Sequence, residues 1–448
     1  MKSSAILNLF AASALAFAGC RGLSAPGEKQ ARDDSAAVTK KYRPAHPATP
    51  LPPLTSDSSL SNFVAFALLN SPAVEAAFYD WRASVENITV ARSLPDPQLT
   101  FQAYIQDALT SLMPGIAWNF PGPGKLKARA GVAVAESQGK YFAFQSAALQ
   151  AAFNLKRAYY ELGLLNEQIH FKRESLSLIE SQERAVRAQN ESGQARLADL
   201  LRAQGRRDSM QTTLASLEDS RHPLLANFKA ALGLTPAQPD PPEPARFEMS
   251  GETVDADEML RAAFAHNPQL KAMEAAVRAA EAGIAVAYKE RVPNFNASLM
   301  AEVYSPPFYW PQAGMSLPVW RDKLAAEAAQ AQADNLAAQS RLKSAQIDLA
   351  VNFAEKLFEY RETRRNLDLI DSRLLPQARQ SLGMVQAGYR AGMMDFSSLT
   401  EAGQAVLDLE LQAAEARAAR EIALADLSLI VAGAPPAGAP LLSKNSRP

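Results

Sequence analysis

The sequence offers few groups that could do chemistry. The one stretch that invites a reading is NFPGPGKLKAR, Asn119 to Arg129. A glycine-rich turn running into a lysine and a helix is how a phosphate cradle is built. That pattern needs a glycine six residues before the lysine and a Ser or Thr just after it. Asn119 and Leu126 stand in those places, so the nucleotide reading fails at both ends. The four histidines, His46, His170, His222 and His266, are scattered and share no metal-ligand spacing. No Ser, His and Asp set stands out. The Met393–Met394 pair carries thioethers that suit a soft cation such as copper or silver, but methionines also serve as adaptable packing residues. No enzyme chemistry, metal site or cofactor is expected. Pro121, Gly122, Pro123, Gly124 and Lys125 therefore read as a sharp turn that some larger architecture requires.

The 448 residues have a formal charge of −1, which gives no reason to expect a nucleic-acid partner. Lys2 precedes an apolar run from Ala5 to Ala18, then Gly19 and the single cysteine, Cys20. This is the grammar of a secretory signal, too short for a comfortable membrane span. FAGC resembles the bacterial lipobox, with Phe17 where Leu is usual. The resemblance implies that Cys20 becomes a lipid-modified N-terminus. Arg21 follows it, not the Asp that retains such lipoproteins at the inner membrane. One cysteine permits no disulfide within the chain. No other stretch approaches 18 continuous apolar residues, which excludes a helical inner-membrane transporter.

Two Pro-rich segments divide the chain, and the parts between them repeat. Pro72 pairs with Pro268, Pro97 with Pro293 and Lys125 with Arg321, each at an offset of 196, while Gly193 and Gly392 pair at 199. Residues 1–19 read as signal peptide and 20–56 as the lipidated Cys with an extended tether. The first repeat is 57–233, the linker 234–255, the second repeat 256–433 and the tail 434–448. Each repeat opens with a helix whose first turn holds a proline, where the missing N–H costs nothing.

Strands follow with period-two alternation. Gln98, Thr100 and Gln102 oppose Leu99, Phe101, Ala103 and Ile105; Asn294, Asn296 and Ser298 oppose Phe295, Ala297, Leu299 and Ala301. Second strands are expected over Ile116–Phe120 and Ala313–Val319, the latter ending in LPVWRDK, read as a counterpart of the PGPGK turn. A helix from Lys125 to near Asn190 would span roughly 100 Å at 1.5 Å per residue. Its counterpart, from Arg321 to near Gln386, should kink at Pro376. Each turns at a glycine and returns, over Leu197–Leu232 and Phe396–Val431, as an antiparallel coiled-coil hairpin. The lysines and arginines at the strand-to-helix junctions, Lys125, Lys127, Arg129, Arg321 and Lys323, read either as partners of lipid phosphates or as solvated helix-start charges.

A two-faced strand needs its apolar face covered, and these strands have the length of membrane-barrel strands. Four cannot close a barrel, and open edges do not occur in lipid. Several chains must then pool strands, with apolar faces toward lipid and polar faces toward water. The competing expectation is a coiled-coil scaffold with two small sheets in the periplasm.

The doubled NP-type helix starts, SLPDPQL and RVPNFNA, the long helices and AGYRAG before the second tip make the chain resemble a TolC-type outer-membrane efflux protein over residues 57–433. PGPGKLKARAGVAVAE is similar to the turn of the heavy-metal branch. The resemblance implies a mainly α fold with transmembrane β: a homotrimer whose four strands per chain form a 12-stranded barrel continuous with a helical tunnel. It also implies a passive exit duct for heavy-metal cations or drugs, docked to a periplasmic adaptor and an inner-membrane pump of the RND type. A type I secretion exit duct for proteins would share the fold.

By the same resemblance, Tyr389 matches the gating tyrosine and Asp199 its carboxylate partner. Ser398 and Glu401 occupy the two acidic-ring positions, and Met394 the gating arginine position. Asp199 has a second reading, as a helix-start carboxylate near the dipole. Gly193, Leu197, Leu200, Gly392, Met393 and Leu399 mark the tips where an adaptor would dock, with core packing inside each hairpin as the competing account.

Overall fold

The computed structural model describes residues 25–42, 51–105, 109–244, 247–249, 255–302 and 308–431. Cys20, His46 and the tail 434–448 lie outside the described residues. In chain order the elements are α1 (Glu28–Tyr42), α2 (Leu60–Asn70), α3 (Pro72–Arg92), β1 (Gln98–Ile105), β2 (Leu109–Phe120), α4 (Lys125–Glu191) and α5 (Leu197–Ala231). The second repeat gives α6 (Ala256–His266), α7 (Pro268–Lys289), β3 (Asn294–Glu302), β4 (Phe308–Ser316), α8 (Arg321–Leu369), a π-helical turn (Ile370–Leu374), α9 (Leu375–Arg390) and α10 (Phe396–Val431). The chain divides into two compact units.

The first unit comprises Ala77–Phe144 and Gln269–Ala345, with the described part of Met1–Ala48. Its strands form one antiparallel sheet in the order β1-β2-β3-β4. Directly opposed residues share a face. Leu99 opposes Ile116, which opposes Leu299, which opposes Pro311; Phe120 opposes Phe295, which opposes Met315. One face is therefore apolar throughout, and Leu99 and Phe101 on it are 68% and 65% exposed. The other face carries Gln98, Thr100, Asn119, Asn296, Ser298 and Gln312.

The register also relocates the shift between repeats. Met315 stands opposite Phe295 as Ile116 stands opposite Leu99, so β4 already follows β2 at an offset of 199. The extra residues fall within the β3–β4 hairpin. Lys125 then corresponds to Leu324, and Gly122 to Arg321. LPVW, 317–320, nonetheless does the work of PGPG, 121–124: each is a four-residue connection from strand to helix, and Arg321 opens α8 as Lys125 opens α4.

Residues 28–42 correct the expectation of an extended tether. Glu28 supplies the reason. Its buried carboxylate accepts from Ala25 N at 3.2 Å and pairs with Arg92 at 2.8 Å and Arg32 at 3.2 Å, and Arg32 reaches Glu86 at 3.2 Å. Burial alone would raise the Glu28 carboxyl; the Ala25 N–H and the two guanidinium groups outweigh it and hold it below the ordinary range. At the other end of α1, Tyr42 meets Phe78 and Phe144 edge-on. Trp81 stacks on Phe144, with ring centroids 5.9 Å apart.

The second unit comprises Thr49–Ala76, Gln145–Pro268 and Gln346–Pro448. A core in it joins Phe63, Val64 and Ala67 of α2, Leu155, Tyr159 and Leu162 of α4, and Phe228 and Leu232 at the end of α5. The Pro-rich linker is docked on this core. Lys229 Nζ donates to Pro236 O and Asp240, and Phe247 lies over Gly163, where an added Cβ would stand 2.5 Å from its ring. Each repeat ties its first helix pair to its last helix with an asparagine. Asn70 Nδ2 donates to Leu232 O at 2.9 Å and Asn267 Nδ2 to Ile430 O at 2.8 Å.

The disturbance expected at Pro376 takes the form of the π turn Ile370–Leu374. A proline has no N–H for the carbonyl four residues back and clashes with it; a wider turn separates the two. Among the described residues no helix is long and apolar enough to cross a membrane.

Two glycines with near-equal dihedrals separate strain from crowding. Gly193 has φ +75° with open space around it, whereas Gly233 has φ +74° and a Cβ there would stand 2.4 Å from Asn70 O. Gly193→Ala should cost only the left-handed penalty of about 1–2 kcal/mol. Gly233→Ala should cost clearly more and lower the thermal midpoint further, measured by circular dichroism in detergent.

Candidate functional site

Two places hold the residues singled out from the sequence: the strand-to-helix turn in the first unit and the hairpin tips in the second.

At the turn, Pro121 and Pro123 cannot donate to a ladder, and β2 ends at Phe120. Gly122 lies against Pro293: an added Cβ would stand 2.3 Å from its carbonyl oxygen. Gly122 N donates to Asn294 Oδ1 at 3.0 Å. Gly124 adopts φ +83° beside Lys289. Lys125 is 2% exposed and its ammonium lies 2.8 Å from Glu290, with Arg129 at 3.2 Å on the other carboxylate oxygen. Lys125 is therefore neither a lipid-phosphate partner nor a solvated charge, and the Gly122 and Lys125 donors are taken by the protein itself. Burial would raise the Glu290 carboxyl, but the hydrogen bond and charge of Lys125, then those of Arg129, bring it below its ordinary value. Leu94 stands at the equivalent place of the first repeat, counted back from Pro97 as Glu290 is from Pro293, so the ion pair belongs to one junction only. The proline and glycine pattern signalled the turn. Nothing local signalled Glu290, 165 residues away.

The two tips share one geometry. Gly193 and Gly392 are left-handed, and the following residue's N–H returns to the helix: Gln194 N to Gln189 O at 2.7 Å and Met393 N to Gly388 O at 2.8 Å. They differ in their helix starts. Asp199 accepts from Arg196 N at 3.3 Å and is held by Arg202. At the second tip Asp395, which sequence reasoning passed over, caps α10 by accepting from Ser398 N at 2.8 Å and from the Ser398 hydroxyl. That hydroxyl, then the N–H, holds the Asp395 carboxyl below the usual range. Its D-x-x-S spacing was the available signal.

Within one chain no hydrogen bond joins Tyr389 to Asp199. The Tyr389 ring packs edge-on against Phe396, with centroids 5.8 Å apart. Glu401 is exposed, with the Ser397 hydroxyl 3.5 Å from its carboxylate. Leu197 and Met393 are exposed, Met393 to 81%; Leu200 and Leu399 are half-buried. The Met394 stem lies over Gly388, and both methionines remain exposed. Among the described residues no group of three or more His, Cys, Asp or Glu could hold a metal ion.

Polar ties between α4 and α10 went unseen in the sequence. Gln182 donates to Ser397, Gln404 to Ser175 and Gln168 to Glu415, at 3.3, 3.2 and 3.2 Å. Gly403 makes room for Leu178 between them, where a Cβ would stand 2.9 Å away. An open groove beside this contact is lined by Glu174, Leu178, Arg184, Leu382 and Val406.

Solved structures with this fold are outer-membrane channels. The Campylobacter jejuni CmeC outer membrane channel superposes with a TM-score of 0.72 at 13% identity, covering 84% of this chain and 86% of that one. The open state of the Neisseria gonorrhoeae MtrE outer membrane channel gives 0.72 at 17%, covering 86% and 94%. CusC, solved in a study of folding and transmembrane channel formation, gives 0.67 at 14%, covering 84% and 92%. The fold class is thus that of the helical-tunnel and β-barrel channels, four strands to a chain. The family profile of the outer membrane efflux proteins matches residues 64–234 and 259–433. The chain belongs to that family, one of channels and not of enzymes, and the free-standing scaffold reading falls with it. No curated protein matches the sequence.

Glu290→Gln should leave the Lys125 ammonium buried without a counter-charge, at a cost of about 1–3 kcal/mol near neutral pH. Because the folded carboxyl is held low, its contribution is present above its unfolded value of roughly 4.3 and fades as pH falls through the folded value. The gap in thermal midpoint between wild type and Glu290→Gln should therefore be full at pH 7 and narrow as pH falls below the unfolded value of roughly 4.3.

Proposed function

We propose that the protein is the outer-membrane exit duct of a tripartite efflux system. Three copies pool their strands into a 12-stranded barrel, and the long helices continue it as a tunnel into the periplasm. Cys20 carries a lipid anchor in the outer membrane. The duct is passive: a periplasmic adaptor docks at the tips and an inner-membrane pump, of the RND class, supplies the energy. Cargo is heavy-metal cations or drugs.

One observation carries this reading. The sheet presents an apolar face and a polar face and ends in two edges, β1 and β4, with no strand paired to them among the described residues. Closure with other copies satisfies the edges, turns the apolar face to lipid and leaves the polar face to water. Family membership supports the same reading. The heavy-metal preference rests on the likeness of the PGPGK turn to that branch.

Gating resides in the tips. Among the described residues Tyr389 has no hydrogen-bond partner, so its lock with Asp199 forms between neighbouring copies. Adaptor binding favours the dilated set of tips, a population shift. Opening also has to strain or break the α4–α10 ties, and the groove beside them is where the adaptor's helices lie.

The reading is tested on protein purified in detergent from outer membranes. A trimer that carries lipid on Cys20 and forms pores in planar bilayers supports it; a monomer that needs no detergent and forms no pore overturns it. In the same bilayers, Tyr389→Phe with Asp199→Asn keeps the helix cap and removes the lock. Loss of a charged hydrogen bond worth about 1.5 kcal/mol should raise the open fraction roughly tenfold. An unchanged open fraction rules out this lock.

A further inference from the structure

The face of the sheet assigned to water is not uniform along its length. Asn119 opposes Asn296, which opposes Gly314; the next row is Gln98, Ala117, Ser298 and Gln312. These side chains are polar or small. Toward the hairpin ends the character reverses. The following row is Thr100, Gly115, Met300 and Trp310, and beyond it Met113 opposes Gln102 while Phe308 opposes Glu302. Four bulky apolar side chains, Met113, Met300, Phe308 and Trp310, thus lie on the polar face within two rows, confined to one end.

This band is built. Gly115 carries no side chain because Met300 occupies its space: an added Cβ would stand 2.7 Å from Met300 Cγ and 3.0 Å from Thr100 Oγ1. Phe308 and Trp310 meet edge-on with centroids 5.1 Å apart, and both remain about half exposed in the chain. Tyr309, between them, belongs to the opposite face with Pro311, Ala313 and Met315. Four more apolar residues on the apolar face would need no comment. On a face that meets water, they leave aromatic surface exposed.

We infer that this aromatic and thioether band is a binding constriction at the outer mouth of the pore, selective for cargo with a bulky aromatic and cationic part. The inference deepens the exit-duct reading and rests on it. Ring faces attract cations through their quadrupole, Trp most strongly. Glu302, in the row of Phe308, adds a carboxylate to the same site. Threefold repetition would place three such bands around one opening. Small hydrated ions gain nothing from such a surface, since an apolar constriction disfavours water and ions.

The probe is tetraphenylphosphonium, titrated calorimetrically into the full-length protein in detergent, with pore conductance recorded on the same preparation. Wild type should bind. Phe308→Ser with Trp310→Ser should weaken binding about tenfold, as expected for lost cation–π contacts. Trp310→Phe, which keeps a ring, should retain most of the affinity, and Tyr309→Ser should bind as wild type does. Wild type that does not bind overturns the inference. So does a double variant that binds as tightly as wild type, or a Tyr309→Ser loss equal to that of the double variant. Wild type that conducts but fails these titrations removes the band alone, whereas a preparation that forms no pore removes the exit-duct reading itself.

Discussion

The outer edges of β1 and β4 each present a row of backbone N–H and C=O groups with no strand beside them among the described residues. In water such an edge is a liability; in lipid it is not tolerated. The apolar face beside it, with Leu99, Phe101, Phe295 and Met315 exposed, cannot be hidden by folding one copy. The demand for partners is thus written into the backbone before any side chain is considered. Closure into a barrel answers it for edges and face together, and that is the architecture of the family to which the chain belongs.

The duplicated sequence does not give duplicated junctions. In the first repeat the strand is handed to the helix by PGPG, packed on Pro293, with Lys125 buried against Glu290. In the second repeat three more residues lie in the hairpin, and the connection to α8 leaves Leu317, Val319 and Trp320 exposed. The physical difference lies in the neighbours. The first junction finds its partner, α7 and β3, within the same chain. Among the described residues the second junction has no such partner. In the proposed trimer it would meet the next copy, where apolar side chains that are exposed in the monomer gain cover.

The tips show how a helix end can serve two purposes. Gly193 and Gly392 permit the same tight return, and Asp199 and Asp395 each satisfy donors of the helix that follows. A residue that caps a helix is held in place, and a fixed carboxylate is what a reversible lock needs. Tyr389, by contrast, is anchored only through its ring against Phe396. The polar ties between α4 and α10 add a second restraint: two neutral hydrogen bonds and one to the Glu415 carboxylate, all of which can be exchanged for water at small net cost.

The sequence by itself determined the periodic and local features. Alternation named the faces of β1 and β3, glycines and prolines named the turns, and unbroken stretches named α4 and the returning helices to within a residue or two. These signals are local, because helix and strand periods and turn dihedrals are set by near neighbours. Tertiary structure decided what depends on distant partners: the docking of α1 through Glu28 and Arg92, the burial of Lys125 by Glu290, the ties from Gln182, Ser175 and Gln168 to α10, and the two bulky rows on the polar face. An ion pair or a cross-strand row joins residues whose separation in sequence carries no information about their separation in space. Strand register alone revealed that Met300 and Trp310 stand side by side, and that the shift between repeats falls within a hairpin.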